Sequence, residues 1–260
     1  MRVLVTGGAG FVGSHIVDRY VEAGYDVHIV DNLISGKTSN INNKVTLHEI
    51  DICSDSFSEL LTNIKPDAVN HHAAQASVKI SVLDPKHDLL INGSGTANIA
   101  MLSAMHGVKH LIYASSGGTL YGQPLENPVN ENAEIKPLSP YGVSKFAGEE
   151  YVKFVARSSE MNTTIFRYGN VFGPRQDPSG EAGVIAIFAG NFSTDISLIG
   201  QIPKSEFKEE GVPTGFGLDL NGLWYPVEEL GFGLNLGGTQ YGSSKRSIPF
   251  NYFTLQVSLS

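Results

Sequence analysis

A tight glycine turn between a buried strand and a helix constrains the fold of this chain more than any other feature. Residues 2–6 form a short apolar run, residues 11–23 carry apolar side chains at helical spacing, and residues 26–31 form a second apolar run. This order predicts a strand, a helix and a second strand that lies parallel to the first. The turn before the helix has a glycine at every third position: Gly7, Gly10 and Gly13.

The same alternation continues through the first two thirds of the 260-residue chain. Apolar runs that favour strands alternate with stretches of helical periodicity, and Pro140 stands where a helix can begin without losing a hydrogen bond. The pattern predicts an α/β fold, a Rossmann-like doubly wound parallel sheet with helices on both faces. The further predicted strands are 45–50, 67–71, 109–115 and 163–167, and the further predicted helices are 55–64, 88–106 and 140–159.

The glycine turn also has the composition of a dinucleotide site. Glycines let the backbone approach a pyrophosphate closely, and the positive end of the helix that begins with Phe11 and Val12 faces that group. Asp31 ends the second predicted strand, where a carboxylate accepts hydrogen bonds from an adenosine ribose and repels a 2′-phosphate. The turn therefore predicts NAD as the cofactor in preference to NADP, and a glycine turn without a ligand is the alternative.

A second group of residues has the spacing of an acid–base pair. Tyr141 and Lys145 stand four positions apart at the start of a predicted helix, so both side chains share one face. The lysine ammonium is expected to lower the pKa of the tyrosine from its usual value of about 10, which suits a general base near neutral pH. Tyr241 and Lys245 have the same spacing, but they stand in a segment rich in glycine and serine, and we interpret them as coincidental.

Composition argues against several function classes. The formal net charge of −8 argues against a nucleic acid as partner, since phosphate binding needs clustered Lys and Arg. No run approaches about eighteen apolar residues and no secretory signal precedes the first strand, so we expect no membrane association and a cytoplasmic location.

Cys53 is the single cysteine, which leaves no internal disulfide. His71 and His72 are adjacent in a strand and face opposite ways, so no metal site is expected.

Several long segments resemble the extended short-chain dehydrogenase/reductase family, and within it the UDP-glucose 4-epimerases. The similarity covers about residues 1–188 and rests on these segments: MRVLVTGGAGFVGSHIVDR, VDNLISGK, HHAAQASVKISVLDP, ASSGGTLYG, SPYGVSK and FRYGNVFGPRQDPSGEAGVIAIF. The resemblance implies an isomerase of galactose metabolism that acts on a UDP-sugar with NAD held throughout the cycle. Tyr141 would then be base and acid in turn, Lys145 would bind the nicotinamide ribose, and a homodimer would form through paired helices.

The resemblance also implies roles for residues outside these two motifs. Asp51 and Ile52 would flank the adenine of the cofactor. Tyr168 would lie near the nicotinamide, and Asn170 would contact the diphosphate of the UDP-sugar. The other residues that would line the cofactor site are Asn32, Ala73, Ala74, Gln75, Asn92 and Ser115.

One position departs from the family pattern. The catalytic serine or threonine of such enzymes lies four residues before the tyrosine that corresponds to Tyr121, and Gly117 stands there. Ser116 and Thr119 are the nearest hydroxyls; adjacent strand residues face opposite ways, which slightly favours Thr119 and leaves open that neither is catalytic. Related 4,6-dehydratases carry an Asp-Glu pair where Gly118 and Thr119 stand, so the pattern favours epimerisation over dehydration.

The last part of the chain changes its period. Residues 215–238 and 253–259 alternate apolar with small or polar side chains, which predicts antiparallel strands. We therefore predict two parts: an NAD-binding domain over 1–188, and an atypical β-rich segment over 189–260 without the family's arginine-containing substrate segment. The mixed-charge stretch Lys204–Glu210 is expected to be solvated surface.

Three interpretations of this β-rich segment stay open. The segment is either foreign sequence joined to a shortened epimerase, or a divergent cap over the substrate, or an association element that pairs through apolar edge strands. Two function classes follow from them. The chain is an active nucleotide-sugar 4-epimerase, or it is an NAD-binding module with little or no catalysis.

Overall fold

The structure is a computed structural model that describes residues 1–124 and 128–177, and the backbone of strands within 193–201, 215–227, 230–243 and 246–259. The chain divides into two compact units, Met1–Gly183 and Val184–Ser260. The first unit holds all residues to which the sequence assigns a catalytic or binding role. The predicted charged stretch Lys204–Glu210 lies outside the described residues.

Six parallel strands form the sheet of the first unit. They are β1 (Arg2–Thr6), β2 (Asp26–Val30), β3 (Thr46–His48), β4 (Ala68–His71), β5 (His110–Ser116) and β6 (Asn162–Tyr168). Their order is β3-β2-β1-β4-β5-β6, and each neighbouring pair is parallel. The predicted doubly wound sheet is therefore confirmed. In such sheets a ligand binds beyond the carboxyl ends of the strands where the order reverses, here between β1 and β4.

Two apolar clusters cover the two faces of this sheet. Leu4 belongs to the larger cluster, and Val3 and Val5 belong to the smaller one, because successive side chains of a strand face opposite ways. All three side chains are fully buried. Each such burial stabilises the fold by roughly 1.5–3 kcal/mol relative to an exposed side chain, so the centre of the sheet is a rigid support for its edges.

Helices pack on both faces of the sheet. They are α1 (Phe11–Glu22), α2 (Ser56–Ile64), α3 (Val78–Leu83), α4 (Pro85–Leu89), α5 (Thr96–Met105), α6 (Gly117–Leu120) and α7 (Pro140–Ser158). Ser139 caps α7 by accepting a hydrogen bond from the Gly142 N–H at 3.1 Å, and Pro140 occupies the first turn as predicted. Among the residues that the structure describes, none of the helices combines the length and the apolar character that a membrane span requires.

The helix predicted over 88–106 begins earlier and is interrupted by a wide turn. Pro85 is the first residue of α4, and Asp84 caps it by accepting a hydrogen bond from the His87 N–H at 3.0 Å. A π-helical turn over Leu90–Gly95 joins α4 to α5 and contains the buried Asn92. Such turns occur frequently at functional sites. One extra residue in a turn hardly changes the apolar periodicity, which is why the sequence did not predict it.

The second unit contains a four-stranded antiparallel sheet. Its strands are β7 (Ser193–Gln201), β8 (Gly215–Val227), β9 (Leu230–Ser243) and β10 (Arg246–Leu259). They pair in the order β10-β9-β8-β7, and the register of β8 against β9 shifts between Trp224 and Val227. The alternating runs of the sequence fall within β8, β9 and β10, whereas β7 does not alternate strictly and was not predicted. The division of the chain at residue 188 stays a prediction.

Candidate active site

The glycine turn lies at the carboxyl end of β1, against the loop that follows β4. Gly7 has a φ of +70°, and a Cβ there would stand 2.6 Å from the backbone nitrogen of Ala73. A Cβ on Gly13 would stand 2.1 Å from the Gly7 carbonyl oxygen, so the backbone itself excludes side chains here. In the described part of the chain, α1 begins at Phe11 without a side-chain cap. Its first N–H groups, including that of Val12, therefore suit an anion.

Asp31 contacts this turn from the position directly after β2. Its carboxylate accepts hydrogen bonds from the backbone N–H of Ala9 at 3.0 Å and of Leu33 at 2.9 Å. The residue is 8% exposed, and these two hydrogen bonds compensate part of the cost of burying its charge. Each carboxylate oxygen keeps a free lone pair, and the group can still accept hydrogen bonds from ribose hydroxyls, which is the role predicted for it.

Three residues that the resemblance assigns to the adenosine end lie close together. The Asn32 amide donates to Asp51 Oδ2 at 2.9 Å, and Asp51 Oδ1 accepts from the Cys53 N–H at 2.8 Å. Ile52 packs in the larger apolar cluster. The structure thus brings Asn32 and Asp51 into contact at the surface, while the side chain of Ile52 contributes mainly to the core.

A buried carboxylate joins the residues assigned to the cofactor channel. Asp88 Oδ1 accepts the side-chain amides of Gln75 at 2.8 Å and of Asn92 at 3.0 Å. Its other oxygen accepts the Ser144 hydroxyl at 2.5 Å. The Gln75 N–H donates to Asn92 Oδ1 at 3.0 Å, and the Asn92 amide donates to the Gln75 carbonyl at 2.8 Å. Four side chains from three chain segments therefore form one hydrogen-bond network.

Lys145 is buried beside Tyr141 on α7. Its Nζ donates to the carbonyl oxygen of Ala114 at 3.0 Å. The same atom lies 5.1 Å from the centroid of the Tyr113 ring and 6.0 Å from that of Tyr141. Burial lowers the pKa of Lys145 to about 8, and the negative charge of Asp88 acts in the opposite direction. The structure brings the tyrosine and the lysine together, as their spacing predicts.

The acidity of Tyr141 is governed by its surroundings in a way that the sequence did not predict. Burial raises the pKa of Tyr141 to about 12, while a side-chain hydrogen bond with Ser116 lowers it and the charge of Asp88 raises it. The predicted lowering of this pKa by Lys145 is therefore wrong for the protein alone, because burial, which disfavours the charged phenolate, has the largest effect on it. The phenol holds its proton near neutral pH.

A short helix that the sequence did not predict decides which hydroxyl meets Tyr141. α6 begins at Gly117, directly after β5, and Ser116 forms the side-chain hydrogen bond with the tyrosine. Thr119 donates to the Ser116 hydroxyl at 2.9 Å, so it acts behind Ser116 and the slight preference for Thr119 is not supported by the geometry. A Cβ at Gly117 would stand 2.9 Å from the Arg167 carbonyl oxygen, which leaves little room for a side chain there.

Ser115 makes a separate contact from the end of β5, with a second buried carboxylate. Its hydroxyl donates to Glu149 Oε1 at 2.6 Å. Arg167 binds both oxygens of Glu149, at 2.9 Å and 2.7 Å, and donates to the Tyr121 hydroxyl at 2.7 Å. Although burial acts to raise it, hydrogen bonds from Arg167 and Ser115 hold the pKa of Glu149 below its ordinary value. The Ser115 hydroxyl, assigned to the cofactor site by resemblance, is therefore engaged by Glu149.

The two adjacent histidines make hydrogen bonds within the protein. The ring nitrogens of His71 lie 2.7 Å from Thr6 Oγ1 and 3.1 Å from Thr96 Oγ1. His72 Nε2 lies 3.2 Å from the Tyr168 hydroxyl, and burial lowers the pKa of His72 to about 4. Both rings are thus neutral near neutral pH. Within the described residues, no group of three or more His, Cys, Asp and Glu side chains is arranged to hold a metal ion.

The remaining assigned residues lie at the same edge of the sheet as the glycine turn. Asn170 is exposed after β6, and its Oδ1 would stand 3.7 Å from a Cβ on Gly118. Ala73 and Ala74 are partly buried in the loop after β4. The pair that we interpreted as coincidental stands elsewhere in the sequence: Tyr241 belongs to β9, and Lys245 lies outside the described residues.

Sequence reasoning missed the two buried carboxylates and their partners Ser144 and Arg167. A signal for them exists in the spacing. Glu149 follows Lys145 by four residues, and Asp88 precedes Asn92 by four, the separation that places side chains on one helix face. A carboxylate on a helix face that otherwise turns inward requires a buried partner, so this spacing could have indicated that both carboxylates are buried and paired, but not which residues are their partners.

Comparison with known proteins places this site in a family. The sequence matches the model of the NAD dependent epimerase/dehydratase family over residues 3–204, which extends beyond residue 188. A candidate UDP-glucose 4-epimerase of Methanocaldococcus jannaschii is 42% identical over 252 residues, an alignment that covers 88% of this chain and 83% of that protein.

Two crystal structures of similar proteins share the fold. The UDP-glucose 4-epimerase of Thermotoga maritima, solved with UDP-glucose, is 46% identical in sequence and superposes with a TM-score of 0.70. The superposition covers 72% of this chain and 62% of the Thermotoga chain. The UDP-glucose 4-epimerase of Thermus thermophilus, solved with NAD, is 44% identical in sequence and superposes with a TM-score of 0.71. The superposition covers 74% of this chain and 62% of the Thermus chain. This chain thus spans less than two thirds of either enzyme.

Proposed function

This chain belongs to the NAD dependent epimerase/dehydratase family, and from that premise we propose that it is a nucleotide-sugar 4-epimerase working by transient oxidation at C4 of the sugar. The substrate class that we propose is UDP-hexoses, with UDP-glucose and UDP-galactose as the interconverted pair. The names of the similar enzymes support this choice. We also propose galactose metabolism as the setting and the cytoplasm as the location, the latter on the absence of any disulfide from a chain with one cysteine.

One arrangement carries the proposal. Tyr141, Ser116 and Lys145 meet at the carboxyl edge of β5, which is the edge where the glycine turn and the switch point of the sheet lie. A proton-transfer group beside a dinucleotide site is what alcohol oxidation requires, since the hydroxyl proton and the hydride leave together. The places where related dehydratases carry carboxylates hold Gly118 and Thr119, which supports epimerisation.

NAD is the cofactor, and the residues of the site fit it. The uncapped start of α1 offers backbone N–H groups to a pyrophosphate, and the fixed carboxylate of Asp31 offers acceptors to ribose hydroxyls. The loop after β4 and Asn92 would line its nicotinamide half. When bound, NAD supplies the group that accepts a hydride from C4 of the sugar and returns it.

Tyr141 and Ser116 would move the proton of the sugar 4-hydroxyl. Tyr141 would first lose its own proton to solvent, a step that the positive charges of Lys145 and of bound NAD would favour. The phenolate oxygen would then take the proton of the sugar hydroxyl, directly or through the Ser116 hydroxyl, and would return it when C4 is reduced on its other face. Thr119 orients Ser116 by donating to its oxygen. The Lys145 ammonium, held against the Ala114 carbonyl, stabilises the phenolate during the transfer.

An NAD-binding module with little or no catalysis is the second function class. The observation in its favour is that the chain spans 62% of each crystallised enzyme. Between Asn170 and residue 177 the sequence has one basic residue, Arg175, and this side chain pairs with Asp18 at 2.7 Å. Residues 169–177 therefore offer Asn170 to a diphosphate without a free cation among them.

A homodimer is also part of the proposal. Apolar side chains on the outer faces of α5 and α7 are exposed, and apolar patches of this kind suit a second copy of the chain. They are Met101, Met105, Tyr151 and Phe154. Light scattering of the purified chain would test this: a monomeric mass at micromolar concentration contradicts it.

The proposed function is tested by cofactor titration followed by a single turnover. Fluorescence titration is expected to show tighter binding of NAD than of NADP, because the Asp31 carboxylate repels a 2′-phosphate. Addition of UDP-galactose to the NAD-loaded protein is expected to produce NADH transiently. Tighter binding of NADP contradicts the cofactor assignment. The absence of any NADH signal in a protein that binds NAD supports the second function class.

A further inference from the structure

Asp88 is a fully buried carboxylate whose charge has no ion-pair partner among the described residues. The donors that it accepts, Gln75, Asn92 and Ser144, are all neutral. Hydrogen bonds of this kind satisfy the oxygens, yet a buried charge still costs several kcal/mol unless an opposite charge lies near. The site therefore needs a cation close to Asp88.

Lys145 is a buried positive charge that likewise lacks an ion-pair partner among the described residues. It is 3% exposed, and in the described part of the chain its Nζ donates to a neutral acceptor, the Ala114 carbonyl. Ser144 connects the two charges, because its hydroxyl binds Asp88 and its backbone directly precedes Lys145. Two buried opposite charges, each held by neutral groups, thus lie on either side of one residue of α7.

We propose that Asp88 is the charge-balancing residue of the active site, and that its carboxylate keeps Lys145 in the ammonium form that proton transfer by Tyr141 requires. This inference deepens the proposed function and rests on it. Asp88 acts through Lys145 and the network around the cofactor channel, so it is a positioning residue.

The other titratable groups that face Lys145 do not supply a negative charge. Burial lowers the pKa of His71 and of His72, which leaves both rings neutral near neutral pH. Burial raises the pKa of Tyr113 and of Tyr141, which leaves both phenols protonated. Glu149, one turn further along α7, is a buried carboxylate too, but Arg167 binds both of its oxygens and balances its charge. Asp88 is therefore the anion without an ion-pair partner of its own that faces this ammonium within the described residues, and it opposes the effect of burial on the pKa of Lys145.

The test is a direct titration of Lys145 by NMR of the whole chain labelled at the lysine ε-carbon, with the signal assigned through Lys145→Met. Asp88→Asn keeps the size of the side chain and an oxygen that accepts Gln75 and Asn92, and it removes the charge. The titration midpoint of Lys145 is expected to fall by about one unit or more in this variant. An unchanged midpoint in a folded Asp88→Asn protein overturns the inference.

Two control variants separate charge from packing. Ser144→Ala removes the hydrogen bond to Asp88 and keeps the carboxylate, so the midpoint of Lys145 should change far less than in Asp88→Asn. Glu150→Gln removes one negative charge from an exposed position on the same helix, where solvent screens it. If either control lowers the midpoint as much as Asp88→Asn does, the effect is not that of the Asp88 charge.

A double variant keeps the inference testable if Asp88→Asn alone fails to fold. Asp88→Asn with Lys145→Met removes both buried charges, so it should fold where Asp88→Asn alone does not, because no uncompensated charge is left buried. A double variant that fails to fold as Asp88→Asn does, while Lys145→Met folds, contradicts the coupling. None of these measurements needs turnover, so failure here is distinguishable from failure of the proposed function, which would appear as loss of NAD binding or of NADH formation in the unaltered chain.

Discussion

In the proposed mechanism proton transfer depends on Tyr141, whose side chain is partly buried at the start of α7. Burial raises the pKa of its hydroxyl to about 12, so the group needs its hydrogen-bond partner Ser116 and the nearby ammonium to act as a base. Removing the hydroxyl should stop the chemistry and leave the cofactor turn intact, because the turn belongs to β1 and α1.

Tyr141→Phe is therefore expected to lower the rate at which UDP-galactose reduces bound NAD by about 10²–10⁴-fold, the usual contribution of a positioned acid or base. The affinity for NAD should stay near normal. Stopped-flow measurement of NADH formation and a fluorescence titration of NAD check the two parts. Tyr151→Phe, a change at an exposed tyrosine of the same helix, is the matched control. Wild-type NADH formation by Tyr141→Phe would show that Tyr141 is not the base.

Glu149 stabilises the fold through a buried ion pair with Arg167. Glu149→Gln leaves the Arg167 guanidinium without its counter-charge in a site where the Arg167 side chain is only 15% exposed. The expected loss is about 3 kcal/mol in the free energy of unfolding, at the lower end of the range for breaking a buried ion pair. Chemical denaturation at neutral pH measures it, and Glu150→Gln, at an exposed position, should cost less than about 0.5 kcal/mol.

The stability difference between the wild type and Glu149→Gln should depend on pH. The folded pKa of Glu149 lies below its ordinary value of 4.5, so its contribution to stability is present above that pH and is lost as the pH falls through the folded pKa. The stability difference between the wild type and Glu149→Gln should therefore be full at neutral pH and narrow below about pH 4. A difference that does not change with pH would mean that packing, not charge, is responsible.

At the scale of elements, the junction of β1 and α1 is the most sterically restricted part of the site. Gly13→Ala would put a Cβ 2.1 Å from the Gly7 carbonyl oxygen, and backbone on both sides leaves no room for a rotamer change. We expect a loss of about 3 kcal/mol or more, at the upper end of overpacking, together with loss of NAD binding. Gly169→Ala is the control, because a Cβ there meets nothing within 4 Å. Equal unfolding midpoints for the two variants would contradict this account.

The regular elements of the first unit could be predicted from the sequence because buried parallel strands and amphipathic helices have different apolar periods. The glycine turn, Asp31 and the pair Tyr141–Lys145 were identified for the same local reason. Features that depend on contacts between distant segments could not be predicted. The π-helical turn leaves the period almost unchanged, and α6 forms at Gly117–Leu120, whose two glycines are poor helix formers.

Side-chain partners were the least predictable part of the site. Arg167 follows Glu149 by eighteen positions and Ser144 follows Asp88 by fifty-six, so no local pattern joins them. The acidity of Tyr141 was predicted with the wrong sign because spacing shows that a lysine is near and does not show how deeply both groups are buried. Burial is a property of the assembled sheet and helices, and it has the largest effect on the pKa of Tyr141.

At the scale of the whole molecule, all the candidate active-site residues belong to the first of the two units. The first unit supplies the glycine turn, the acid–base pair and Asn170. An epimerase also needs a firm hold on UDP, because the hexose must turn between two hydride transfers while the nucleotide stays fixed. Residues 169–177, which follow β6 directly, contain one basic side chain, Arg175, and this side chain is engaged by Asp18.

We therefore expect the 260-residue polypeptide to bind NAD but to epimerise UDP-galactose slowly. One missing charged contact to the diphosphate costs about 1.5–3 kcal/mol, roughly ten- to a hundredfold in kcat/KM, and more than one such contact would be absent. A coupled assay for UDP-glucose on the NAD-loaded chain, with the Thermus thermophilus enzyme as reference, measures it. A rate equal to that of the reference would contradict the prediction, and it would mean that residues 189–260 act as a working cap over the sugar nucleotide.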